Sequence, residues 1–185
     1  MINRSVPGYA TVVGMTGTLA AKHARPGSTI NDLGCSWGAS LLSVAREAAC
    51  ERCQLVGVDN SEAMISQASA HLAQFPEAGR IELRQADILD TPVEDASVVI
   101  MNYTLQFIPI EERAGLLKRI REAMMPGDVL ILSEKLTLPD PRLNEYLIDL
   151  HHDFKRQQGY SDLEISQKRQ ALEDVLVPET REAQV

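Results

Sequence analysis

The sequence predicts a doubly wound α/β domain with a mostly parallel sheet of the Rossmann-like type. Short, continuous apolar runs alternate with segments whose apolar residues recur at helical spacing. This alternation is typical of a parallel sheet that is covered by helices on both faces. Each apolar run ends in residues that are polar or flanked by glycine. Ligands of this fold class bind at the carboxyl ends of the strands, so the contrast predicts a binding site there.

Five strands and five helices account for the pattern. The strands are predicted at 29–33, 54–59, 80–86, 97–102 and 128–133. The helices are predicted at 39–49, 61–74 with Ser61 as N-cap, 111–125 ending at Pro126-Gly127, 144–156 and 163–176. The 185 residues fit one domain. We expect that domain to span 1–185, with its core at 27–136 and a helical segment at 141–177.

The composition favours a small-molecule ligand over nucleic acid. The formal net charge is −8, whereas nucleic-acid-binding proteins usually carry a basic face that neutralises phosphates. The chain has no apolar run of about 20 residues and no signal-peptide pattern, so we expect a cytoplasmic protein without membrane contact. Cys50 and Cys53 form a lone C-x-x-C. Because a tetrahedral zinc site needs four ligands, no metal is predicted.

The turn after the first predicted strand has two interpretations. Gly34-Cys35-Ser36-Trp37-Gly38 matches G-x-S-x-G, the nucleophile elbow of serine hydrolases, and also a variant nucleotide-binding turn that begins at Asp32. An elbow serine needs an acid and then a histidine downstream, but every downstream histidine falls in a predicted helix. Asp59 instead ends the next strand, at the spacing where an acid binds ribose hydroxyls. The nucleotide-binding interpretation is therefore favoured.

The same turn favours S-adenosylmethionine over a nicotinamide dinucleotide. A pyrophosphate needs the close backbone approach that a second glycine allows, and Ser36 occupies that position. S-adenosylmethionine has no phosphate and tolerates a serine. After the third strand, the Asp87 carboxylate can accept an adenine amino proton, the Ile88 N–H can donate to a ring nitrogen, and the Ile88 side chain suits the ring face. The alternative is that Asp87 caps a loop.

Eight segments, spread over nearly the whole chain, carry a more specific resemblance. They are Arg4-Ser-Val-Pro-Gly-Tyr9, Asp32-Leu-Gly-Cys-Ser36, Asp59-Asn-Ser61, Asn102-Tyr-Thr-Leu-Gln-Phe107, Leu132-Ser-Glu-Lys135, His151-His-Asp-Phe-Lys-Arg156, Gly159-Tyr160 and Glu164-Ile-Ser-Gln-Lys-Arg169. Together they resemble the carboxy-S-adenosyl-L-methionine synthases. The segments that begin at Asn102 and Glu164 are long and are not generic to methyltransferases.

The resemblance implies an enzyme that converts S-adenosylmethionine and prephenate to carboxy-S-adenosylmethionine and phenylpyruvate. That product is the donor for modifying the wobble uridine of tRNA. A homodimer is also implied. The implied cofactor contacts are Tyr9, Gly34, Cys35, Ser36, Asp59, Asn60, Asp87, Ile88, Asn102 and Arg169.

Within that set, the resemblance gives Arg169 a specific role, because a guanidinium can hold the new carboxylate with two parallel hydrogen bonds. Asn102 is predicted to contact the ligand from its position as well as from the resemblance, since an amide at a strand end beside the cleft rarely serves packing. Lys135, His151 and His152 are candidate prephenate contacts, although we expect structural or interface roles for the two histidines.

Two other functions stay open at this stage. An ordinary small-molecule methyltransferase shares the fold and the cofactor but lacks a carboxylate clamp. A non-catalytic subunit would keep the cofactor turn and support a tRNA-modifying partner. Family members also begin some tens of residues earlier and continue into a final pair of strands. The resemblance therefore implies that this chain lacks both segments, which would leave an exposed sheet edge.

Overall fold

A five-stranded, all-parallel sheet is the centre of the computed structural model, which describes residues 2–172 and 175–184. The strands are β1 (Thr29–Leu33), β2 (Gln54–Asp59), β3 (Ile81–Gln85), β4 (Ala96–Asn102) and β5 (Val129–Ser133). Their order across the sheet is β3-β2-β1-β4-β5, and each neighbouring pair is parallel. The predicted fold class is confirmed, and all five predicted strands are present.

Helices cover both faces of this sheet. They are α1 (Tyr9–His23), α2 (Ala39–Ala45), α3 (Glu62–Leu72), α4 (Ile110–Ala123), α5 (Pro141–Gln157), α6 (Asp162–Leu172) and α7 (Arg181–Gln184). Ala20 of α1 and Leu41 of α2 pack with Ile100 of β4 on one face. Leu116 of α4 packs with Met101 of β4 on the other face. Adjacent residues of one strand thus face opposite layers, which explains why β4 is apolar throughout.

The sequence patterns do not predict α1. Its glycine, threonine and valine residues are weak helix formers, and its apolar residues do not concentrate on one side. Tertiary packing stabilises this helix instead: a Cβ atom at Gly17 would lie only 2.5 Å from the Ser43 hydroxyl of the neighbouring segment. The small residue lets α1 lie directly against α2. This packing brings Tyr9, at the start of α1, to the carboxyl end of the sheet.

The prediction that the second helix continues to residue 49 is wrong. This helix ends at Ala45 and a separate 3₁₀ turn follows. The Arg80 guanidinium donates to the carbonyl oxygens of Ala45 at 3.0 Å and of Cys50 at 2.5 Å. A side chain from outside the helix therefore satisfies the Ala45 carbonyl at the end of the helix and joins it to the following 3₁₀ turn.

Three further helices show how well the boundaries were predicted. The Ser61 N-cap of α3 is confirmed, since its hydroxyl accepts from the Met64 N–H at 3.3 Å. The fifth helix begins earlier than predicted, at Pro141, because Asp140 caps it. The sixth helix ends at Leu172 within the described residues. Of its predicted continuation to residue 176, residues 173–174 lie outside the described residues, and residues 175–176 are not helical, so the prediction is wrong there.

Residues 175–184 contact the segment that follows β5 and the Arg113 side chain of α4. The Thr137 N–H donates to the Glu179 carbonyl at 3.0 Å, and the Glu179 carboxylate lies 2.6 Å from the Arg113 guanidinium. In the described part of the chain, β5 pairs only with β4. No helix among the described residues is long and apolar enough to cross a membrane.

Candidate cofactor site

The turn between β1 and α2 lies at the switch in strand order, because β1 pairs with β2 on one side and with β4 on the other. The N–H groups of Gly34 and Cys35 both donate to the Val58 carbonyl, at 2.8 and 2.9 Å, so the turn is bound to β2. Gly34 has φ +81°, and a Cβ atom there would collide with the Thr104 side chain. Both facts require glycine at this position.

Asp59 ends β2 and joins the turn to the next helix. One carboxylate oxygen accepts the Ser36 N–H at 3.0 Å, and the other accepts the Ser61 N–H at 3.0 Å. Because each carboxylate oxygen accepts about two hydrogen bonds, both still have capacity for ligand hydroxyls. The two backbone donors fix the orientation of the carboxylate. Asn60, the next residue, is exposed beside it.

Asp32 is a buried carboxyl group one position before the end of β1. Burial, and to a smaller extent the nearby negative charge of Asp59, together raise its pKa to about 7. Burial also raises the pKa of the Cys35 thiol well above its usual range, with Asp32 and Asp59 adding to the effect. Cys35 is therefore a neutral thiol near pH 7, and the site favours a ligand that carries positive charge.

Asn102 ends β4 and connects three elements. Its amide nitrogen donates to the hydroxyls of Thr16 on α1, at 3.1 Å, and Ser40 on α2, at 2.9 Å. The amide thus has a packing role that the sequence argument did not foresee. Its oxygen is buried and has no hydrogen-bond partner among the described residues. A buried acceptor without a partner costs free energy, so the oxygen is available to a ligand donor.

Two tyrosines border the same cleft. Tyr103 follows Asn102 with φ +61°, and its ring lies 6.1 Å from the Tyr9 ring. Burial, followed by the charges of Asp32 and Tyr103, raises the pKa of Tyr9 to about 12. The Tyr9 hydroxyl therefore remains protonated at neutral pH. The structure brings this distant residue close to the carboxyl end of β1, and its contact with the cofactor stays a prediction.

The sequence analysis includes Glu134 in a segment at the end of the fifth strand but assigns it no role. At the end of β5, its carboxylate accepts the backbone N–H groups of Thr104, Leu105 and Gln106 at 3.0, 2.8 and 3.3 Å. Burial raises its pKa, while these hydrogen bonds oppose the rise. Glu134 therefore holds the loop that carries Thr104 against Gly34. The signal in the sequence was a polar residue at a strand end, but nothing there indicated its partners.

Asp87 and Ile88 follow β3 and have partly local roles. The Asp87 carboxylate accepts the Leu89 N–H at 2.8 Å, as a loop cap does. Its other oxygen has no hydrogen-bond partner among the described residues. The Ile88 side chain is buried in the core beside α4, and its carbonyl accepts from Arg119 at 2.7 Å. Their predicted adenine contacts stay a prediction.

Comparisons with known proteins identify the family. A family model described as a methyltransferase domain matches residues 30–127. The carboxy-S-adenosyl-L-methionine synthase of Aliivibrio fischeri is 48% identical over 180 residues, which are 97% of this chain and 74% of that protein. That of Geobacter sp. (strain M21) is 50% identical over 181 residues, with the same two coverages. The chain belongs to the carboxy-S-adenosyl-L-methionine synthase family.

Solved structures place this family member in the methyltransferase fold. A possible exported protein from Bordetella parapertussis superposes with a TM-score of 0.62 at 21% identity, over 92% of this chain and 56% of that chain. A methyltransferase from Streptomyces caelestis superposes with a TM-score of 0.54 at 20% identity, over 64% and 47%. At such low identity these likenesses show the fold alone.

The structure does not support the interpretation of the turn as a hydrolase nucleophile elbow. The Ser36 hydroxyl contacts the Met64 sulfur at 3.8 Å. The His71 ring instead packs against Trp37 and Phe75, with ring centroids 6.1 and 5.2 Å apart.

In the described part of the chain, no cluster of three or more histidine, cysteine or acidic residues could hold a metal ion.

Arg169 lies on an exposed face of α6. Among the described residues, no hydrogen bond or ion pair joins it to the turn, Asp59 or Asn102. Burial lowers the pKa of Lys135, and the Arg169 charge adds to this effect. Burial, then the charge of Lys155 and then that of Arg169, lowers the pKa of His152. The His151 ring lies 2.6 Å from the Ser5 carbonyl oxygen, which is a structural contact. The role of Arg169 toward the ligand stays a prediction.

Proposed function

We propose that this protein converts S-adenosylmethionine and prephenate to carboxy-S-adenosylmethionine and phenylpyruvate. The product supplies the carboxymethyl donor for wobble uridine modification in tRNA. The observation that carries the proposal is the identity of about half of all residues with carboxy-S-adenosylmethionine synthases over 97% of this chain. We also propose that the enzyme acts in the cytoplasm and does not contact tRNA directly.

The residues at the strand ends fit the cofactor. Asp59 retains acceptor capacity for the ribose hydroxyls, and the tight turn at Gly34 lets the ligand approach the backbone. The Asp32 carboxyl and the unpaired Asn102 oxygen suit the cationic amino and sulfonium groups of the cofactor. Asp87 and Ile88 would hold the adenine, with Asp87 supplying its free carboxylate oxygen.

The reaction balances without a base from the protein. As the ring becomes aromatic, prephenate loses carbon dioxide and hydroxide and leaves phenylpyruvate. The hydroxide removes a proton from the methyl group on sulfur, which forms water and an ylide, and the ylide captures the carbon dioxide. Tyr9 and Cys35 border the site but hold their protons at neutral pH, so neither is the base. The protein supplies proximity and exclusion of water.

The direct test incubates the purified protein with S-adenosylmethionine and prephenate and measures the masses of the products. We expect a cofactor that is heavier by one carbon dioxide, together with phenylpyruvate. Release of S-adenosylhomocysteine with a methylated acceptor would contradict the proposal and favour a methyltransferase, which the matching family model also accommodates.

Arg169 is proposed to bind the new carboxylate. Replacing Arg169 with Ala should reduce the affinity for carboxy-S-adenosylmethionine sharply while the affinity for S-adenosylmethionine stays within about twofold. Arg169→Lys keeps the charge but not the paired geometry, so it should restore only part of the difference. Equal losses for both ligands would refute this role.

The proposed assembly is a homodimer. The supporting feature is α5, whose residues Leu143, Tyr146, Leu147 and Leu150 share one side at helical spacing and are 45–61% exposed. A second copy would cover this side. Light scattering should give a dimer mass that Leu147→Glu converts to a monomer mass, whereas a monomer mass for the unmodified protein would contradict the assembly.

A further inference from the structure

We propose that Arg119 is a positioning residue that enables the loop after β3 to distinguish adenine from hypoxanthine. This inference rests on the proposed function, because it concerns how the cofactor of that reaction is recognised. Arg119 lies on α4, 30 residues from this loop in sequence. Its guanidinium donates to the backbone carbonyl of Ile88 at 2.7 Å and to that of Leu89. Arg119 therefore acts on the predicted adenine contacts from behind the loop.

The loop after β3 lies directly beside Asp59. The Ala86 N–H, just past the end of β3, donates to the Asp59 carbonyl at 3.1 Å, and β3 pairs with β2 up to Asp59. Asp59 is the proposed acceptor for the ribose hydroxyls, and the base of the cofactor is attached to the same ribose. Asp87 and Ile88 are therefore placed to contact an edge of that base.

The peptide group between Asp87 and Ile88 presents a free N–H. Its carbonyl oxygen accepts the Thr91 hydroxyl at 2.7 Å and the Asp90 N–H at 3.1 Å. Because the N–H of a trans peptide points away from its carbonyl, the Ile88 N–H points away from these two donors. Among the described residues it donates to no other group. This N–H is therefore available to a ligand.

The next peptide group, between Ile88 and Leu89, is held at both ends. Its N–H donates to the Asp87 carboxylate at 2.8 Å, and its carbonyl accepts from Arg119. In the described part of the chain, no group other than Arg119 donates to this carbonyl or to that of Leu89. Without Arg119 only water would bind them, and the peptide group would be free to rotate. The hydrogen bond that orients the Asp87 carboxylate would then weaken.

The loop thus fixes one acceptor next to one donor. The acceptor is the free oxygen of the Asp87 carboxylate, and the donor is the Ile88 N–H. Adenine presents the complementary pair on one edge, an amino donor and a ring-nitrogen acceptor. Hypoxanthine has a carbonyl oxygen and a ring N–H at the same positions, which is the opposite pair. A site with fixed polar groups rejects the mismatched base, because those groups are left unpaired.

Arg119 can be replaced without breaking an ion pair. Its guanidinium binds no carboxylate among the described residues, and its Nε is buried without a partner there. Arg121, two positions further along α4, is exposed. In the same described residues the Arg121 side chain forms no hydrogen bond or ion pair. Arg121→Met is therefore a matched control, since it removes the same charge from the same helix.

The test measures the affinities for S-adenosylhomocysteine and S-inosylhomocysteine, which differ only in the base, by titration calorimetry. The unmodified protein and Arg121→Met should prefer the adenine compound by about a hundredfold or more. Arg119→Met should lower this ratio about tenfold or more, because the donor and the acceptor are no longer fixed. Arg119→Lys keeps the charge but not the paired donors, so it should restore part of the ratio.

A loss in Arg119→Met that is equal for both compounds leaves the ratio unchanged. It would assign Arg119 a structural role only and overturn the inference, as would equal affinities of the unmodified protein for the two compounds. If Arg119→Met does not fold, Arg119→Lys decides alone, and a ratio equal to that of the unmodified protein overturns the positioning role.

This measurement separates the inference from the proposed function, because neither compound reacts. If the ratio falls as expected but the unmodified protein makes no carboxylated cofactor from S-adenosylmethionine and prephenate, the proposed function fails and the role of Arg119 stands. If the product forms while Arg119→Met keeps the full ratio, the role of Arg119 fails and the function stands.

Discussion

Asp32 is the residue whose ionisation most directly reports on the cofactor site. The side chain is fully buried on β1, it lies close to Asp59, and its pKa is about 7. Ionisation therefore depends on whether a cation is nearby. S-adenosylmethionine carries a sulfonium and an ammonium group, so its binding would lower this pKa and favour the carboxylate.

We predict that S-adenosylmethionine binding releases a proton from Asp32 near pH 6, where the carboxyl group of the free protein is mostly protonated. Calorimetry in buffers with different ionisation enthalpies measures this release. Asp32→Asn, which keeps the side-chain shape, should abolish it. Release of the same number of protons in both proteins would assign the effect to another group.

The same group makes stability depend on pH. In the folded state its pKa is raised from 3.8 to about 7, so the folded protein binds a proton that the unfolded chain has lost between about pH 4 and pH 7. The free energy of unfolding should therefore fall as pH rises through this interval, by on the order of a few kcal/mol. Urea unfolding should show a smaller fall in Asp32→Asn, and an identical pH profile would contradict the assignment.

Gly34 offers a backbone test with a matched control. Gly34→Ala places a Cβ at φ +81° against Thr104 and should cost about 1–3 kcal/mol of stability and most of the cofactor affinity. Gly115→Ala adds a methyl group in open space on α4 and should be neutral or stabilise by about 0.5–1 kcal/mol. Thermal melts and cofactor titrations distinguish the two, and similar losses in both variants would count against the argument.

At the scale of elements, the sequence specified the sheet better than the helices around it. The buried strands are short, continuous apolar runs, and all five were predicted. Helix α1 was missed because its stability comes from the fit of Gly17 against Ser43 rather than from its own residues. The end of α2 was misplaced because Arg80, distant in sequence, binds its last carbonyl. Such partners exist only in the folded chain.

In the cofactor site too, features set by local geometry were predicted from the sequence, and features set by distant contacts were not. The turn at Gly34 and the carboxylate of Asp59 were recognised from spacing, since local geometry demands them. The hydrogen bonds from Asn102 to Thr16 and Ser40 were not foreseen, because they join three separate elements. The role of Glu134 was missed for the same reason. Residues that act through long-range contacts leave little pattern in a single sequence.

Glu134 provides a prediction at this scale, because it joins β5 to the loop after β4. Glu134→Ala leaves three backbone N–H groups without their acceptor and should cost about 1–3 kcal/mol of stability. Glu134→Gln keeps one acceptor oxygen and should lose less. Chemical denaturation measures both effects. If Gln is as damaging as Ala, the charge matters more than the hydrogen bonds.

Across the whole molecule, charge and topology concentrate at one edge of the sheet. Acidic and amide groups meet at the ends of β1, β2 and β4, where a cationic cofactor fits. The overall negative charge agrees with the expectation that tRNA is not a direct partner.

The central claim is that this protein transfers a carboxyl group from prephenate to S-adenosylmethionine. The most direct measurement uses prephenate labelled with carbon-13 in its ring carboxylate, followed by mass spectrometry of the cofactor products. The account predicts that the label appears in carboxy-S-adenosylmethionine and that phenylpyruvate is unlabelled. An unlabelled cofactor product, or S-adenosylhomocysteine alone, would contradict it.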